Sequence, residues 1–368
     1  MRDAIPIERL RVSAYTIPTD EPESDGTLEW DRTTLVLVEV DAGGQRGLGF
    51  SYGDAAAAHL IDRTLRGELV ERDARAITSM WTAMNARVRN LGRPGVASTA
   101  ISAVDVALWD LKARLCGLPL CELLGSARAR VPIYASGGFT SYSIARLQKQ
   151  LGEWTASGIS RVKMKVGREP AKDPERVRAA REAIGAGAEL FVDANGAYAP
   201  AQARAEAEAF ARAGVTWFEE PVSSDDLEGL CAVRARAPAG MEIAAGEYGY
   251  DPIYFRRMLQ AGAVDVLQAD ATRCGGITGF LFAAALCEAF NRPLSAHTAP
   301  SIHAHACCAV GRARHVEYFH DHVRIEQLLF DGVLRPKDGA LAPDRARPGL
   351  GLELKRADAR RFAAAGFE

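Results

Sequence analysis

The pattern of hydrophobic and polar residues changes near Val131. From there onward, short apolar runs alternate with segments whose apolar residues recur at helical spacing. Strands alternating with helices predict right-handed βαβ units and a parallel sheet. Eight evenly spaced units favour closure into a (β/α)8 barrel; an open doubly wound sheet is the alternative, although no GxGxxG follows the first strand. The runs are VPIYAS, SRVKMKV, ELFVDAN, VTWFEEP, EIAAGE, VDVLQAD, RPLSAH and HVEYF.

The region before Val131 has a different pattern. Residues 7–19 and 33–40 are β-rich, a DAGG turn returns the chain into residues 46–52, and helical patterns follow. We therefore predict an N-terminal α+β capping domain over residues 1–125, a barrel over 126–330, and a tail over 331–368 that packs back on the capping domain. Residues 19–30, TDEPESDGTLEW, are polar and acidic and contain Pro and Gly. This composition predicts a loop that is long enough to be a lid and is mobile without substrate.

Composition narrows the class of partner. Hydrophobic residues make up 48% of the chain, and the net charge of −2 comes from interspersed acids and bases. No basic face for nucleic acid or an anionic membrane is indicated, so a small molecule is the expected partner. The seven cysteines have no CxxC spacing and lie in or beside apolar runs, as free thiols do. With no export signal or membrane span in the sequence, we expect a cytoplasmic protein.

Charged residues occur where barrel strands should be apolar. Lys163 and Lys165 are two residues apart, so one strand points both side chains into the barrel mouth. A polar residue then ends each following strand, about one βα unit apart, at the face where barrel enzymes carry out chemistry. Any one of them could be the first solvated residue after its strand, but seven strand ends in register, counted from Lys165, argue against that explanation. The residues are Asp193 with Asn195, Glu219 or Glu220, Glu247, Asp270, His297 and Glu317.

Carboxylates on adjacent strands suggest a metal ion. Like charges held close together raise one another's pKa values unless a cation compensates them. Oxygen ligands with room for a reactant suit Mg²⁺, or Mn²⁺, better than Zn²⁺. Lys165 on one side and His297 on the other, with Asp270 able to orient the imidazole, predict a two-sided proton-transfer site.

Together these elements resemble the mandelate racemase subgroup of the enolase superfamily. The resemblance rests on KMK, VDANG, WFEEP, AAGE, the CGGITG that follows Asp270, the SAH that contains His297, and Glu317, and it spans essentially the whole chain. It implies Mg²⁺ ligands at Asp193, Glu219 and Glu247. It also implies that Lys163 neutralises a substrate carboxylate and that Lys165 is the base on one face of the alpha carbon.

The same resemblance assigns the remaining site residues. His297 with Asp270 would serve the other face, and Glu317 would donate a hydrogen bond to the substrate as a protonated acid. Asn195 and Arg273 are candidate substrate contacts, although Arg273 fits a surface ion pair equally well. His320 and His322 are predicted near the barrel mouth, in a solvated loop or in contact with substrate. The resemblance further implies a small, polyhydroxylated carboxylate substrate and a homo-oligomer. It also implies that the N-terminal domain caps the barrel and that its loop, residues 19–30, closes over the substrate.

Three functions remain open on the sequence. Acid-sugar dehydration to a 2-keto-3-deoxy acid leads, because members of this subgroup with both a lysine and a histidine resemble sugar-acid dehydratases. Racemisation or epimerisation, with Lys165 and His297 exchanging roles, is the alternative. A non-catalytic binding protein would have no reason to keep costly buried charges. No lysine lies between residues 173 and 336, which excludes the second lysine base of muconate-lactonising relatives. Which of Lys165 and His297 initiates the reaction stays open.

Overall fold

A three-stranded antiparallel sheet forms the first module of the computed structural model, which describes residues 4–366. Leu35 and Leu37 pack in the apolar cluster shared with the barrel. Val36 and Val38, on the opposite face of the same strand, pack under the helices of this module. The sheet is therefore covered on both sides, and one of those sides is the barrel. Its strands are β1 (Ile7–Ser24), β2 (Glu29–Ala42) and β3 (Gln45–Gly53).

Helices follow the sheet, and the longest of them crosses it. A Cβ at Gly49 would lie 2.2 Å from the backbone nitrogen of Ala107, so glycine is what allows this helix to approach the sheet closely. The same helix contacts the second module through Asp105, which accepts hydrogen bonds from the backbone and hydroxyl of Thr278. The helices are α1 (Ala55–Leu60), α2 (Ile77–Arg87), α3 (Val96–Leu115) and α4 (Leu120–Leu123).

The segment predicted as a loop, residues 19–30, is a β-hairpin tip. β1 continues to Ser24 and β2 begins at Glu29, with a register shift between Pro18 and Glu23. The prediction of a loop was wrong because backbone pairing builds a strand without apolar side chains. The polar side chains find partners instead: Asp25 Oδ1 accepts from the backbone of residues 27 and 28, and Ser24 bonds Thr140 of the barrel at 2.6 Å.

Eight parallel strands form the second module. The last of them pairs with the first, so the sheet closes into a barrel. This confirms the predicted (β/α)8 barrel with an N-terminal α+β domain and excludes the open doubly wound sheet. The strands are β4 (Val131–Gly137), β5 (Arg161–Lys165), β6 (Glu189–Asp193), β7 (Val215–Glu219), β8 (Glu242–Ala245), β9 (Val266–Ala269), β10 (Leu294–Ala296) and β11 (Ala313–Phe319).

Helices surround the barrel and alternate with its strands. Their N-termini are set by capping residues such as Ser143, whose hydroxyl accepts from the backbone of Arg146, and Asp251, which caps the helix after β8. The helices are α5 (Ile144–Ala156), α6 (Asp173–Ile184), α7 (Pro200–Arg212), α8 (Leu227–Arg234), α9 (Pro252–Ala261), α10 (Gly276–Ala289), α11 (Pro300–Ala309) and α12 (His320–Leu329).

Four rings fill the lower interior of the barrel and form what we call the aromatic floor: Tyr134, Phe191, Trp217 and His315. Phe191 stacks on Trp217 with ring centroids 5.2 Å apart, and the His315 ring contacts the other three. All four residues are at most 1% exposed. The barrel is thus a packed core beneath its mouth, as expected for this fold.

The tail contacts both modules. β13 (Ala340–Leu341) pairs with the start of β4, and β12 (Phe330–Asp331) pairs with β14 (Glu353–Leu354). The last α-helix, α13 (Arg356–Ala359), brings Arg356 to Glu39 of the sheet, and the Ala364 N–H donates to the Ala14 carbonyl. All seven cysteines are free. Within residues 4–366, no helix is long and apolar enough to cross a membrane.

Candidate active site

Three carboxylates converge at the barrel mouth. Asp193 and Glu219 are the last residues of β6 and β7, and Glu247 lies two residues beyond β8. One oxygen from each lies within 4.8 Å of the others, and all three side chains are buried. Register explains the arrangement, because Asp193 pairs directly with Glu219 across the parallel ladder. The triad has the donor set and the spacing that a divalent cation requires.

The charge balance of the triad also fits a cation. Burial and the nearby Asp193 raise the pKa of Glu219 well above its usual value. Glu247 Oε2 is buried and accepts no hydrogen bond from the described residues, although the His297 ring nitrogen Nε2 lies 3.3 Å away. Because a buried, unsatisfied carboxylate oxygen is costly, a positive ion at this position would satisfy a demand that the chain leaves open.

Lys163 lies beneath the triad and is fully buried. Its ammonium contacts Glu219, lies 2.9 Å from Glu317 Oε1 and 3.2 Å from Asp193 Oδ2, and sits 5.4 Å above the centre of the Tyr134 ring. Burial alone would lower the pKa of Lys163, but the surrounding carboxylates outweigh it and the pKa lies well above the usual value. Lys163 is therefore a fixed positive charge.

Lys165 occupies the next inward position on β5. Its Nζ lies 2.5 Å from Asp193 Oδ2 and 3.0 Å from Asn195 Oδ1. Asn195 is held by its own backbone N–H, which donates to Asp193 Oδ1 at 2.9 Å. Burial lowers the pKa of Lys165, yet the Asp193 carboxylate more than compensates and raises it above the usual value. The side chain is consequently held as an ammonium beside the triad.

A histidine–aspartate pair faces Lys165 across the triad. His297 Nδ1 lies 2.8 Å from Asp270 Oδ2, and His297 Nε2 lies 3.3 Å from Glu247 Oε2. Asp270 Oδ1 accepts from the backbone and hydroxyl of Thr272, both at 2.7 Å. Burial alone would raise the pKa of Asp270, but the hydrogen bond and charge of His297 lower it well below its usual range. An ionised Asp270 orients the imidazole so that Nε2 faces the site.

Glu317 ends the ring of predicted residues on β11. Its Oε2 accepts from the backbone N–H of Thr298 at 3.2 Å and lies 3.7 Å from His297 Nε2. Burial alone would raise the pKa of Glu317, but the positive charges nearby, Lys163 first among them, outweigh burial and lower the pKa to about 2. The Lys163 ammonium thus favours the ionised form of Glu317. A protonated Glu317 stays a prediction from the resemblance.

Arg273 is an ion-pair partner within the site. Its Nη1 lies 3.2 Å from Glu247 Oε1, its Nε lies 3.7 Å from Asp270 Oδ2, and its guanidinium lies over the Tyr248 ring. The side chain is three-quarters buried, so it is not a surface pair. Asn195 and Tyr248 also line a cavity of 610 Å³ beside the mouth, together with Thr27 and Glu220.

Several residues of the site were not predicted. Trp217 donates from Nε1 to Glu219 Oε2 at 2.9 Å. It stands two residues before Glu219 on the same strand, so the two-residue period of a strand could have placed both side chains on the inner side of the barrel. Glu220, which the sequence left as an alternative to Glu219, has a positive φ of 39° and lines the adjacent cavity instead. That backbone turn cannot be inferred from residue type.

The hairpin tip covers part of the mouth. A Cβ at Gly26 would lie 2.4 Å from the Ala194 carbonyl and 2.8 Å from the Val166 carbonyl, the residues that follow Asp193 and Lys165. Only glycine allows so close an approach to those backbones. Thr140 fixes the same turn by donating to the Asp25 carbonyl at 2.8 Å.

His320 and His322 lie on a helix rather than in a solvated loop, because they begin α12. His322 is buried and stacks on Tyr52 of the capping domain, with ring centroids 3.4 Å apart. His320 Nε2 lies 3.0 Å from Asp20 Oδ2 of the hairpin tip. Both histidines therefore join the two modules.

Comparison with known proteins agrees with this geometry. The family model "Enolase C-terminal domain-like" matches residues 146–359, and "Mandelate racemase / muconate lactonizing enzyme, N-terminal domain" matches residues 17–125. The 3,6-anhydro-alpha-L-galactonate cycloisomerase of Streptomyces coelicolor is 36% identical over 95% of this chain and 98% of its own length.

Two solved structures extend the comparison. A mandelate racemase/muconate lactonizing enzyme-like protein from Rubrobacter xylanophilus has 59% identity and a TM-score of 0.96, covering 98% of this chain and all of its own. An L-talarate dehydratase from Polaromonas sp. JS666, complexed with Mg and L-glucarate, has 32% identity and a TM-score of 0.88, covering 98% of both chains. With its closed barrel, capping sheet and carboxylate triad, this chain belongs to the mandelate racemase/muconate lactonizing enzyme family of the enolase superfamily.

Proposed function

We propose that this enzyme abstracts the proton alpha to the carboxylate of an acid sugar and eliminates the beta oxygen, giving a 2-keto-3-deoxy acid. The observation that carries the proposal is the placement of two proton-transfer groups on opposite sides of one carboxylate triad. Lys165 contacts the triad at Asp193, and His297 contacts it at Glu247. A substrate lying between them would meet a base on one face and an acid on the other.

Asp193, Glu219 and Glu247 would hold one Mg²⁺, which agrees with the Mg reported in the Polaromonas dehydratase complex. Such a cation would supply positive charge where negative charge develops on the substrate carboxylate, and it would weaken the attraction of Asp193 for the Lys165 ammonium. Lys163 would neutralise the substrate carboxylate from below. A substrate carboxylate beside Lys163 and Glu317 would also reduce the pull that keeps Glu317 ionised, so a proton could be shared there.

Each base has a structural reason for its role. Lys165 is held at the site by Asp193 and Asn195 and must lose its proton before it accepts the alpha proton. His297 is aligned by the ionised Asp270, which stabilises the imidazolium that protonates a departing oxygen. The aromatic floor lies beneath Lys163, whose ammonium is 5.4 Å from the Tyr134 ring, so the underside of the site is dry and the developing charge is shielded from water there.

A second candidate is opening of an ether ring. It is favoured by the Streptomyces cycloisomerase, which matches nearly the whole chain and whose name specifies a 3,6-anhydro sugar acid. Elimination of an ether oxygen from the beta carbon uses the same alpha-proton step and the same acid. The two reactions differ in the leaving group alone.

Product mass distinguishes these reactions. The Mg²⁺-loaded enzyme is incubated with a panel of aldonic and aldaric acids and with 3,6-anhydro aldonates, and products are examined for a 2-keto group and for mass. Dehydration gives a keto acid lighter by one water, and ring opening gives a keto acid of unchanged mass. An epimer without a keto group would establish racemisation instead. Chelator should abolish turnover and Mg²⁺ restore it; full activity in metal-free enzyme would overturn the proposal.

A further inference from the structure

A second cluster of possible metal ligands lies outside the active site, where the hairpin tip meets α12. One carboxylate oxygen of Asp20, one of Glu23 and a ring nitrogen of His320 lie within 4.8 Å of one another. Asp20 lies within the irregular part of β1, where the register shifts, Glu23 ends that part, and His320 is the first residue of α12. The three therefore come together only when the capping domain is seated on the barrel.

Glu23 is the residue that points to a ligand. Its side chain is fully buried, and its Oε2 accepts a hydrogen bond from Trp30 Nε1 at 2.9 Å. Its Oε1 is also buried and has no hydrogen-bond partner among the described residues. The Trp30 hydrogen bond thus orients the Glu23 carboxylate through one oxygen and leaves the other free. Carboxylates that bind metal ions are commonly oriented by hydrogen bonds in this way.

The surrounding charges leave Glu23 uncompensated. The nearby Asp321 is already satisfied, because Arg324 donates to its Oδ1 at 2.7 Å and Thr33 to its Oδ2 at 2.5 Å. Burial and the charge of Asp321 raise the pKa of Glu23 to about 9. A cation beside the free Oε1 would compensate this buried carboxylate.

We propose that Asp20, Glu23 and His320 bind a transition-metal dication of the Zn²⁺ type at the junction of the two modules. One imidazole nitrogen and two carboxylates favour such an ion over Mg²⁺, whereas the all-carboxylate triad of the barrel suits Mg²⁺. Asp20 and His320 are 38% and 20% exposed, which gives the ion an entry path and leaves room for a water ligand. Bound there, the ion fastens the hairpin tip to α12.

Equilibrium dialysis of the full chain tests the site. Protein is dialysed against excess Mg²⁺ with graded Zn²⁺, and both metals are measured per chain. We expect one Mg²⁺ and one Zn²⁺ in the wild type, and Zn²⁺ affinity lowered at least tenfold in His320→Asn and in Glu23→Gln. Glu21→Gln is the matched control, because Glu21 lies between the ligands on the hairpin but pairs with Arg146. It should bind Zn²⁺ as the wild type does.

Thermal stability and Co²⁺ absorption test the same site independently of dialysis. Zn²⁺ should raise the melting temperature of the wild type and of Glu21→Gln but not of His320→Asn, and Co²⁺ should give a visible absorption band that His320→Asn lacks. If Glu23→Gln fails to fold, the partly exposed Asp20→Asn replaces it. Zn²⁺ uptake matched by loss of Mg²⁺ would locate the ion at the barrel triad and overturn the proposal. Equal Zn²⁺ binding by wild type and His320→Asn would also overturn it.

Discussion

The barrel interior has two levels with opposite chemistry, although both come from the same strands. The aromatic floor contains Phe191 and Trp217, and the mouth contains Asp193 and Glu219, two residues further along β6 and β7. The two-residue period of a strand points all four into the barrel. The difference shows that position along a strand, rather than burial, decides the chemistry, because both levels are almost fully buried.

The levels also stabilise themselves differently. In the floor, aromatic rings pack against one another, and this packing buries their apolar surface away from water. The mouth holds charges that are paired with one another, and removing one partner of such a pair leaves the other buried and unpaired. Changes at the floor should therefore affect folding, and changes at the mouth should affect chemistry.

The largest effect is expected at the mouth, from its two proton-transfer groups. Lys165→Ala should lose both turnover and exchange of the alpha proton with solvent deuterium. His297→Asn should reduce elimination by ~10²–10⁴-fold, typical of a lost general acid, while exchange driven by Lys165 survives. Turnover and deuterium incorporation measured by mass spectrometry check both variants.

The opposite pattern would reverse the roles. Exchange that persists in Lys165→Ala and disappears in His297→Asn would make His297 the initiating base. In a racemase, each variant would instead retain exchange with one of two epimers only. Unfolding curves serve as the control here, because both variants should still fold.

Phe191→Ala tests the floor. The free energy of unfolding should fall by ~3–5 kcal/mol, because the ring stacks on Trp217 and leaves a cavity that its neighbours fill poorly. Denaturant unfolding measures the loss. Phe290→Ala is the control, since Phe290 is 38% exposed and its removal should cost far less. Equal losses in the two variants would show that the floor is not specially packed.

Trp217→Phe tests the link between the levels. The substitution keeps a ring in the floor but removes the N–H that orients Glu219. Affinity for Mg²⁺ should fall by ~10–100-fold, as for other supporting hydrogen bonds to metal ligands. Calorimetric titration with Mg²⁺ measures this. Trp109→Phe removes a similar hydrogen bond, to Thr278 far from the triad, and should leave Mg²⁺ affinity unchanged.

The smallest effect concerns His315, the ring of the aromatic floor that can take up a proton when the pH falls. Burial, followed by the nearby arginines, lowers the pKa of His315 well below the usual value. The unfolded chain binds a proton near pH 6.5 and the folded chain does not, so stability should decline as pH falls below about 6.5. The decline attributable to His315 is at most about 1.4 kcal/mol per pH unit.

His315→Gln isolates this contribution. The difference in unfolding free energy between wild type and variant, measured from pH 7.5 to pH 5, should change in favour of the variant at low pH. All other titrating groups are shared by the two chains and cancel in the difference. If the unfolding free energies of wild type and variant changed with pH in parallel, His315 would take up its proton equally well in the folded and the unfolded chain, and the prediction would be wrong.

Much of the barrel could be predicted because its signals are local. Each strand is a short apolar run, and a charged residue at its carboxyl end stands out against that background. Lys163 and Lys165 illustrate this, since a two-residue spacing on one strand fixes their common direction. The hairpin tip shows the opposite case. Its polar residues predicted a loop, yet residues 23 and 24 pair with residues 30 and 29 as strands. Thr140, far away in the sequence, holds the turn in place.

The sequence by itself determined the period of the elements, their number and the positions of the polar residues at the strand ends. Those features depend on residues near one another in the chain. The tertiary structure alone decided that Trp217 supports Glu219, that Lys163 contacts Glu317, and that Asp20 and Glu23 meet His320 from another module. Charge state and ligand sets depend on distances between residues far apart in sequence, and the closure of the barrel and the seating of the cap set those distances.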